Sequence, residues 1–369
     1  MSPVGRARAG AAPEAPAAAM ERLGGWPGVL GRIAARHDLT ATEAEVALGD
    51  VLEGNATPAQ LAAFIFGMRC KGETLAEMTG LVRAMLGAAV RIEFPAELAT
   101  RLIDTCGTGG DRQGTINVST IAALVVAGAG VPVCKHGGRA SSSLAGSADV
   151  LEALGVAIEL DPPGVARCVR EAGIGFCFAP KFHANMRHAI PIRRELGVPT
   201  AFNFLGPLAN PGRVRRQVVG VGDPSMAENM AGVLAANGAE HVAVVYGHDG
   251  LDELSTAAPS TLIEWRAERP RLATTIVDPA ALGLAPASLG DLRGGDAAAN
   301  ATFARRVLDG ERGPHRDVVV LNAAAGLVVG GRVGGLAEGI GVAETAIDDG
   351  AAARVLERLV AVSQSARPA

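Results

Sequence analysis

Apolar side chains at Leu61, Phe64, Ile65 and Met68 recur at the three- and four-residue spacing that puts them on one face of a helix. Their segment opens on Thr57 and Pro58, with Gln60 three positions after the threonine; Thr40 with Glu43 and Thr74 with Glu77 repeat the arrangement. A threonine followed three residues later by Glu or Gln caps a helix start reciprocally, and Pro58 stands where its missing N–H does no harm. Residues 25–98 therefore read as a small helical domain. From residue 99 the pattern changes. RLIDTC, VPVCKH, GIGFCF, QVVGVG and HVAVVYG are short apolar runs, separated by helical stretches such as Asn117 to Ala129 and Met226 to Asn237. This alternation predicts a large α/β domain over 99–369 with a mostly parallel central sheet. The basic segment at about 185–205 is helical in pattern and is expected to cross back to the small domain.

Composition narrows the choice. Apolar residues form 49% of the chain and aromatics only 3%, so the core must be built from Ala, Val, Leu and Ile. The first 24 residues, rich in Ala, Pro, Gly and Arg, read as a disordered tail with Met20 as a candidate start, and Glu14 and the prolines exclude a signal-peptide core. The uncharged run Gln113 to Cys134 contains Asn117, Ser119, Thr120 and Pro132, which favours a buried helix and strand over a membrane span. A net charge of −4 gives no general field for nucleic acid. Five cysteines without a CxxC pair argue against a zinc site or disulfide framework and for a reducing cytoplasm.

Four clusters carry chemistry. DTCGTGGDRQGTINVST places Gly107, Gly109 and Gly110 between a strand and a helix, where backbone amides approach an anion and Asn117, Ser119 and Thr120 supply donors. An ordinary capped turn is the plain alternative for a glycine motif alone. KHGGRASSSLAGSADVLEALG brings Lys135, His136, Arg139 and Ser141 to Ser143 to the end of the next strand, a set suited to phosphate oxygens, while Ser147 and Asp149 start or cap a helix. The third cluster packs Lys181, His183, Arg187, His188, Arg193 and Arg194 into fourteen positions, which suggests a carboxylate site. Arg193, sharing a helical face with Arg187 and Ile190, is favoured to turn inward, and Arg194 outward. Asp252 and Glu253, adjacent on a loop after HVAVVYG, are hard oxygen ligands of the kind Mg²⁺ takes beside substrate phosphates.

In order along the chain, GTGGD, NVST, KHGGR, GSADVLEALG, PIRRELG with FN-x-LGPLANP, and GLDELS resemble the motif series of the anthranilate phosphoribosyltransferases, from about Trp26 to Val360. The resemblance implies a homodimeric enzyme whose helical and α/β domains close over phosphoribosyl diphosphate in the presence of Mg²⁺. It assigns the donor to Gly107, Gly110, Asp111, Thr115, Asn117, Ser119, Thr120, Lys135, Arg139, Ser142, Ser143 and Ser147, and the metal to Ser119, Asp252 and Glu253. It assigns the acceptor, anthranilate or a related aromatic amine, to Gly107, His136, position 138 and Arg193, with Lys135 and Arg193 doing the catalytic work. Three departures stand out: Gly138 where the family carries Asn, His183-Ala184-Asn185-Met186 where it carries HPAM, and Arg112 where it carries Gly. They keep open a related enzyme acting on another aromatic acceptor. KHGGR and PIRRELG disfavour a pyrimidine nucleoside phosphorylase, and the intact donor motifs with net negative charge disfavour a nucleic-acid-binding relative without catalysis. No membrane partner is expected.

Overall fold

All three threonine caps form reciprocal pairs. Thr40 accepts from the Glu43 amide at 3.3 Å while the Glu43 carboxylate accepts from the Thr40 amide at 2.8 Å; Thr57 with Gln60 and Thr74 with Glu77 do the same. They open the helices Ala41–Leu52, Pro58–Lys71 and Leu75–Ala88. Glu77 also ties the bundle together. Fully buried, its carboxylate accepts from the Leu39 amide at 2.8 Å and from Lys71 Nζ at 2.8 Å, so the buried charge is paired.

The computed structural model describes residues 16–140 and 144–367. The expected tail through residue 24 is corrected at its end: Pro16–Arg22 is a helix, and Met20 is buried in one apolar cluster with Trp26, Val29 and Leu48. The Ala-rich run has high helix propensity, and one apolar anchor is enough to seat a short helix on a bundle. Residues 1–15 lie outside the described residues. The segment Phe202–Leu208 packs Phe202, Phe204, Leu205 and Leu208 into that same cluster.

Seven strands follow: β1 (Ile103–Gly107), β2 (Val133–Gly137), β3 (Ile174–Phe178), β4 (Arg216–Gly220), β5 (His241–Gly247), β6 (Ser260–Arg266) and β7 (Arg269–Val277). Their order is β3-β2-β1-β4-β5-β6-β7, parallel from β3 through β5 and antiparallel thereafter. Alternate residues face two cores. Val218, Ala243 and Val245 join the layer holding the helices Val118–Gly128, Pro314–Val329 and Ala351–Ser365, whereas Val219, Val242 and Val244 join the cluster of the helical bundle and the helix Ala227–Ala236. The β6–β7 hairpin has no counterpart among the apolar runs of the sequence. Its outer strand is exposed along all but its last residue and carries Pro270, as an edge strand can. No helix among the described residues is long and apolar enough to cross a membrane.

The chain runs outward from β1 through β2 and β3, then returns to place β4 on the other side of β1. The crevice at the carboxyl ends of β1 and β4 is thus the topological switch point, where open α/β sheets bind ligands. Gly107 and Gly220 are register partners there. A Cβ on Gly220 would stand 1.6 Å from the Asp252 carbonyl oxygen, so that loop approaches β4 only because position 220 is glycine. Gly220→Ala is expected to cost roughly 3 kcal/mol by forcing backbone apart, measured as a lowered midpoint in urea unfolding; an unchanged midpoint would show that the loop is free to move.

Candidate active site

At the switch point lies a cavity of about 470 Å³. Its walls are the loops after β1, β2, β4 and β5, with Pro199, Asn203 and Phe204 contributed by the segment that crosses to the helical bundle. The loop after β1 needs left-handed backbone at Gly109 (φ 65°), Gly110 (φ 84°) and Gly114 (φ 66°), which glycine adopts without strain. Arg112 adopts φ 58° in the same loop, a conformation that costs a side-chain-bearing residue about 1–2 kcal/mol. The Gly109 amide donates to Asp252 Oδ2 at 2.9 Å, and the Gly222 amide donates to Thr108 Oγ1 at 3.0 Å. The turn is therefore fastened to the loops after β4 and β5.

The helix Val118–Gly128 starts at this loop. Its Ser119 amide donates to Glu253 Oε1 at 3.1 Å, so helix start and acidic loop are joined directly. Lys135, fully buried on β2, donates from Nζ to the Thr105 carbonyl and lies 3.4 Å from Ser119 Oγ. Burial foremost, then the charge and hydrogen bonding of Asp111, push Asp252 up to about 7. Glu253 is pushed up to about 8 by burial and then by Asp252, with Lys135 opposing. A cation beside these two neighbouring carboxyls would favour their ionised forms. Among the described residues no set of three or more His, Cys, Asp or Glu side chains could hold an ion unaided. The donor set fits Mg²⁺, which binds through one or two carboxylates and takes its remaining ligands from substrate phosphates and water. Asn322 holds the loop from below, accepting from the Leu254 amide at 3.0 Å and donating to the Leu254 carbonyl at 2.8 Å.

The residues expected from sequence are distributed unevenly. Gly107, Gly110, Asp111, Thr115, Asn117, Ser119, Lys135, His136, Gly138, Arg139, Ser147, Asp252 and Glu253 all line the cavity. Ser142 and Ser143 lie outside the described residues. Thr120 is buried behind the cavity wall, and among the described residues its Oγ1 has no partner. Consecutive helical positions point about 100° apart, so Ser119 and Thr120 do not share a face. Arg193 is half-buried against the Phe202 ring, 5.4 Å from its centroid, rather than on the cavity wall, while Arg194 is exposed. The helical face expected for Arg187, Ile190 and Arg193 is interrupted, since Ala184–His188 is a 3₁₀ turn and a separate helix begins at Ile190; Arg187 and Ile190 are exposed. Arg139 stands on the rim, paired with Asp149 and Glu152 at 2.8 Å each.

Sequence reading missed the support beneath β2. Asp104 on β1, buried and pushed up to about 6 by that burial, accepts from the His136 amide at 3.1 Å and from Asn210 Nδ2 at 2.8 Å. The Asn210 amide group also donates to the Cys134 carbonyl at 2.8 Å, fixing the strand that carries Lys135 and His136. Asp104 and Asn210 stand in DTCGTGGD and PLANP, and that was the only signal pointing to them.

The Glycosyl transferase family, a/b domain, matches residues 99–353, and the Glycosyl transferase family, helical bundle domain, matches residues 27–89. The anthranilate phosphoribosyltransferase of Salinispora arenicola is 51% identical over 348 residues, covering 93% of this chain and 98% of that protein. That of Chloroflexus aggregans is 51% identical over 336 residues, 91% of this chain and 97% of its own. The crystal structure of the Thermus thermophilus anthranilate phosphoribosyltransferase superposes with a TM-score of 0.84 at 39% identity, covering 91% of this chain and 99% of that one. The chain belongs to the anthranilate phosphoribosyltransferase family. The Saccharomyces cerevisiae anthranilate phosphoribosyltransferase, solved in complex with PRPP and Mg, has a TM-score of 0.83 at 28% identity over 92% of this chain and 98% of that one.

Gly138 stands on the wall of this cavity. A Cβ on Gly138 would meet nothing within 4 Å, so the cavity is open there. Asn185 is half-buried but does not line the cavity, and so does not stand in for the missing amide. Beside the opening, His136 lies 3.1 Å through Nδ1 from the Gly206 carbonyl, with the His183 ring 5.1 Å away. Among the described residues neither Nε2 has a partner. Burial lowers His136 to about 3 and His183 to about 4, so both rings are neutral at neutral pH. A folded-state pKa below the unfolded value means the unfolded chain binds the extra proton first, so these histidines cost stability as pH falls below about 6.5. His183→Asn is therefore expected to lose less stability than the parent between pH 7 and pH 5, by about 1–2 kcal/mol. Urea unfolding of both proteins at the two pH values checks this; identical losses would place His183 in solvent.

Proposed function

We propose that this chain transfers the phosphoribosyl group of 5-phosphoribosyl 1-diphosphate to the amine of anthranilate, giving N-(5-phosphoribosyl)anthranilate and diphosphate in tryptophan biosynthesis. The observation that carries the reading is the meeting, at one switch point, of the glycine turn, the start of the helix Val118–Gly128 and the Asp252–Glu253 loop. Gly107, Gly110, Asp111, Thr115, Asn117 and Ser147 would hold the donor's phosphates and ribose, with Arg139 released from Asp149 and Glu152 to join them. Ser119, Asp252 and Glu253 would hold Mg²⁺. When bound there, the ion supplies positive charge for the diphosphate and relieves the repulsion between the two carboxyls.

The reaction breaks the bond from C1 of the ribose to the diphosphate oxygen and makes a bond from C1 to the amine nitrogen, which then gives up a proton. C1 develops oxocarbenium character as the diphosphate leaves. Lys135, fixed by the Thr105 carbonyl and close to Ser119, keeps a positive charge at the floor of the site where negative charge accumulates on the leaving group. The aryl amine already carries a free electron pair, so it requires orientation more than deprotonation. Neutral His136, held at Nδ1, offers Nε2 as an acceptor for an amine N–H. Arg193, whose pKa is lowered by burial and which has Phe202 beneath it, would take the carboxylate of the aromatic acid as the helical bundle closes. The reading includes a homodimer in the cytoplasm; the five thiols, all free among the described residues, support a reducing compartment.

The open space at Gly138 favours a second reading, in which a differently substituted aromatic amine is the acceptor. The deciding assay incubates the protein with phosphoribosyl diphosphate, Mg²⁺ and a panel of aminobenzoates, following anthranilate fluorescence and diphosphate release. Loss of fluorescence with diphosphate release is expected; release with another amine only would select the second reading. The double variant Asp252→Ala with Glu253→Ala is expected to lower kcat by at least about 10³-fold while keeping its circular dichroism spectrum. Full activity in that variant would refute the assignment of the metal.

A further inference from the structure

β1 and β2 are neighbours in the sheet, yet they pair at one position only, Ile103 with Val133, whereas β1 pairs with β4 and β2 with β3 at five positions each. At that one position the Ile103 amide donates to the Pro132 carbonyl at 3.0 Å. A parallel ladder repeats its pattern every two residues. The next two rungs would therefore join the Thr105 amide to the Cys134 carbonyl and the His136 amide to the Thr105 carbonyl. Those bonds would register Thr105 with Lys135, and among the described residues no such pair exists.

Side chains take all four of these backbone groups instead. Asn210 Nδ2 donates to the Cys134 carbonyl at 2.8 Å, Asp104 accepts from the His136 amide at 3.1 Å and from the Thr105 amide, and Lys135 Nζ donates to the Thr105 carbonyl. With every group partnered, the strands stand apart at their carboxyl ends without leaving a buried amide or carbonyl unpaired. Asn210 joins the substitutions to one another: its Nδ2 also donates to Asp104 Oδ2 at 2.8 Å, and its Oδ1 accepts from the Gly212 amide at 2.8 Å. Only a carboxamide satisfies this set. An aspartate at 210 would set acceptor against acceptor, at both the Asp104 carboxylate and the Cys134 carbonyl.

We infer that Asp104 and Asn210 are positioning residues that hold β2 off β1, so that the Lys135 ammonium reaches the Thr105 carbonyl beside Ser119. The work of Lys135 on the leaving diphosphate rests on the transferase reading; its placement stands on the geometry alone. Without the Asn210 amide group, the donor that a regular ladder supplies to the Cys134 carbonyl is the Thr105 amide. Taking it would draw β2 against β1. The companion bond, from the His136 amide, would then compete with Lys135 for the Thr105 carbonyl and turn the ammonium away from the floor of the site.

Asn210→Ala removes the donor. A crystal structure of that variant, as the full chain, is expected to show Thr105 registered with Lys135 and Lys135 Nζ displaced from the Thr105 carbonyl. Steady-state kinetics are expected to show kcat lower by about 10²-fold, as for roughly 1 Å of misplacement, with KM for phosphoribosyl diphosphate unchanged. Lost stability alone does not produce that split. Asp104→Asn, which keeps the shape but sets an amide against the Asn210 donors, is expected to give the same displacement and the same split, and carries the test should the alanine variant not fold. Lys135 unmoved in the variant crystal structure, or kcat retained, overturns the positioning role. A parent inactive with every aminobenzoate counts against the transferase reading instead, and the crystal structures then decide alone whether the pair sets Lys135.

Discussion

Asp252 and Glu253 are adjacent carboxyls in a cleft that strips away water, and the rest of the site is arranged around the cost of keeping them there. One receives the Gly109 amide, the other the Ser119 amide, and Lys135 lies close enough to oppose the rise in Glu253's pKa. Each donor in turn imposes a condition on the chain. Gly109 reaches Asp252 only from left-handed backbone, Ser119 reaches Glu253 only from the first turn of its helix, and the acidic loop approaches β4 only over Gly220. The glycine loop and the acidic loop are therefore a single electrostatic unit.

The parts of this molecule that depend on neighbours in sequence were legible in the sequence. A capping box needs four consecutive residues, and all three closed as read; β1 to β5 were announced by apolar runs because both faces of the sheet are covered. The β6–β7 hairpin was not, since an outer strand open to solvent needs no apolar run. The helix over Pro16–Arg22 was hidden because composition does not register a single anchored side chain such as Met20.

The site divides along the same line. The motifs fall on loops around one cavity, which gathers most of the residues they contain. Orientation within a motif was harder: Ser119 and Thr120 are equivalent as letters but sit on different sides of a helix, and a break at Ala189 separates Arg187 from the helix of Arg193. Hardest of all was the support formed by Asp104 and Asn210, more than a hundred residues apart, whose pairing belongs to the tertiary fold alone.

The grip of Asn322 on Leu254 fixes one side of the cleft. Because that side chain holds both the amide and the carbonyl of the same residue, the acidic loop is locked to a sixteen-residue helix that is itself packed behind the sheet. The carboxyls serve as the anvil. Any closure of the kind proposed above would have to bring Arg193 and Phe202 toward a fixed pair of charges, as a jaw closes on a vice block.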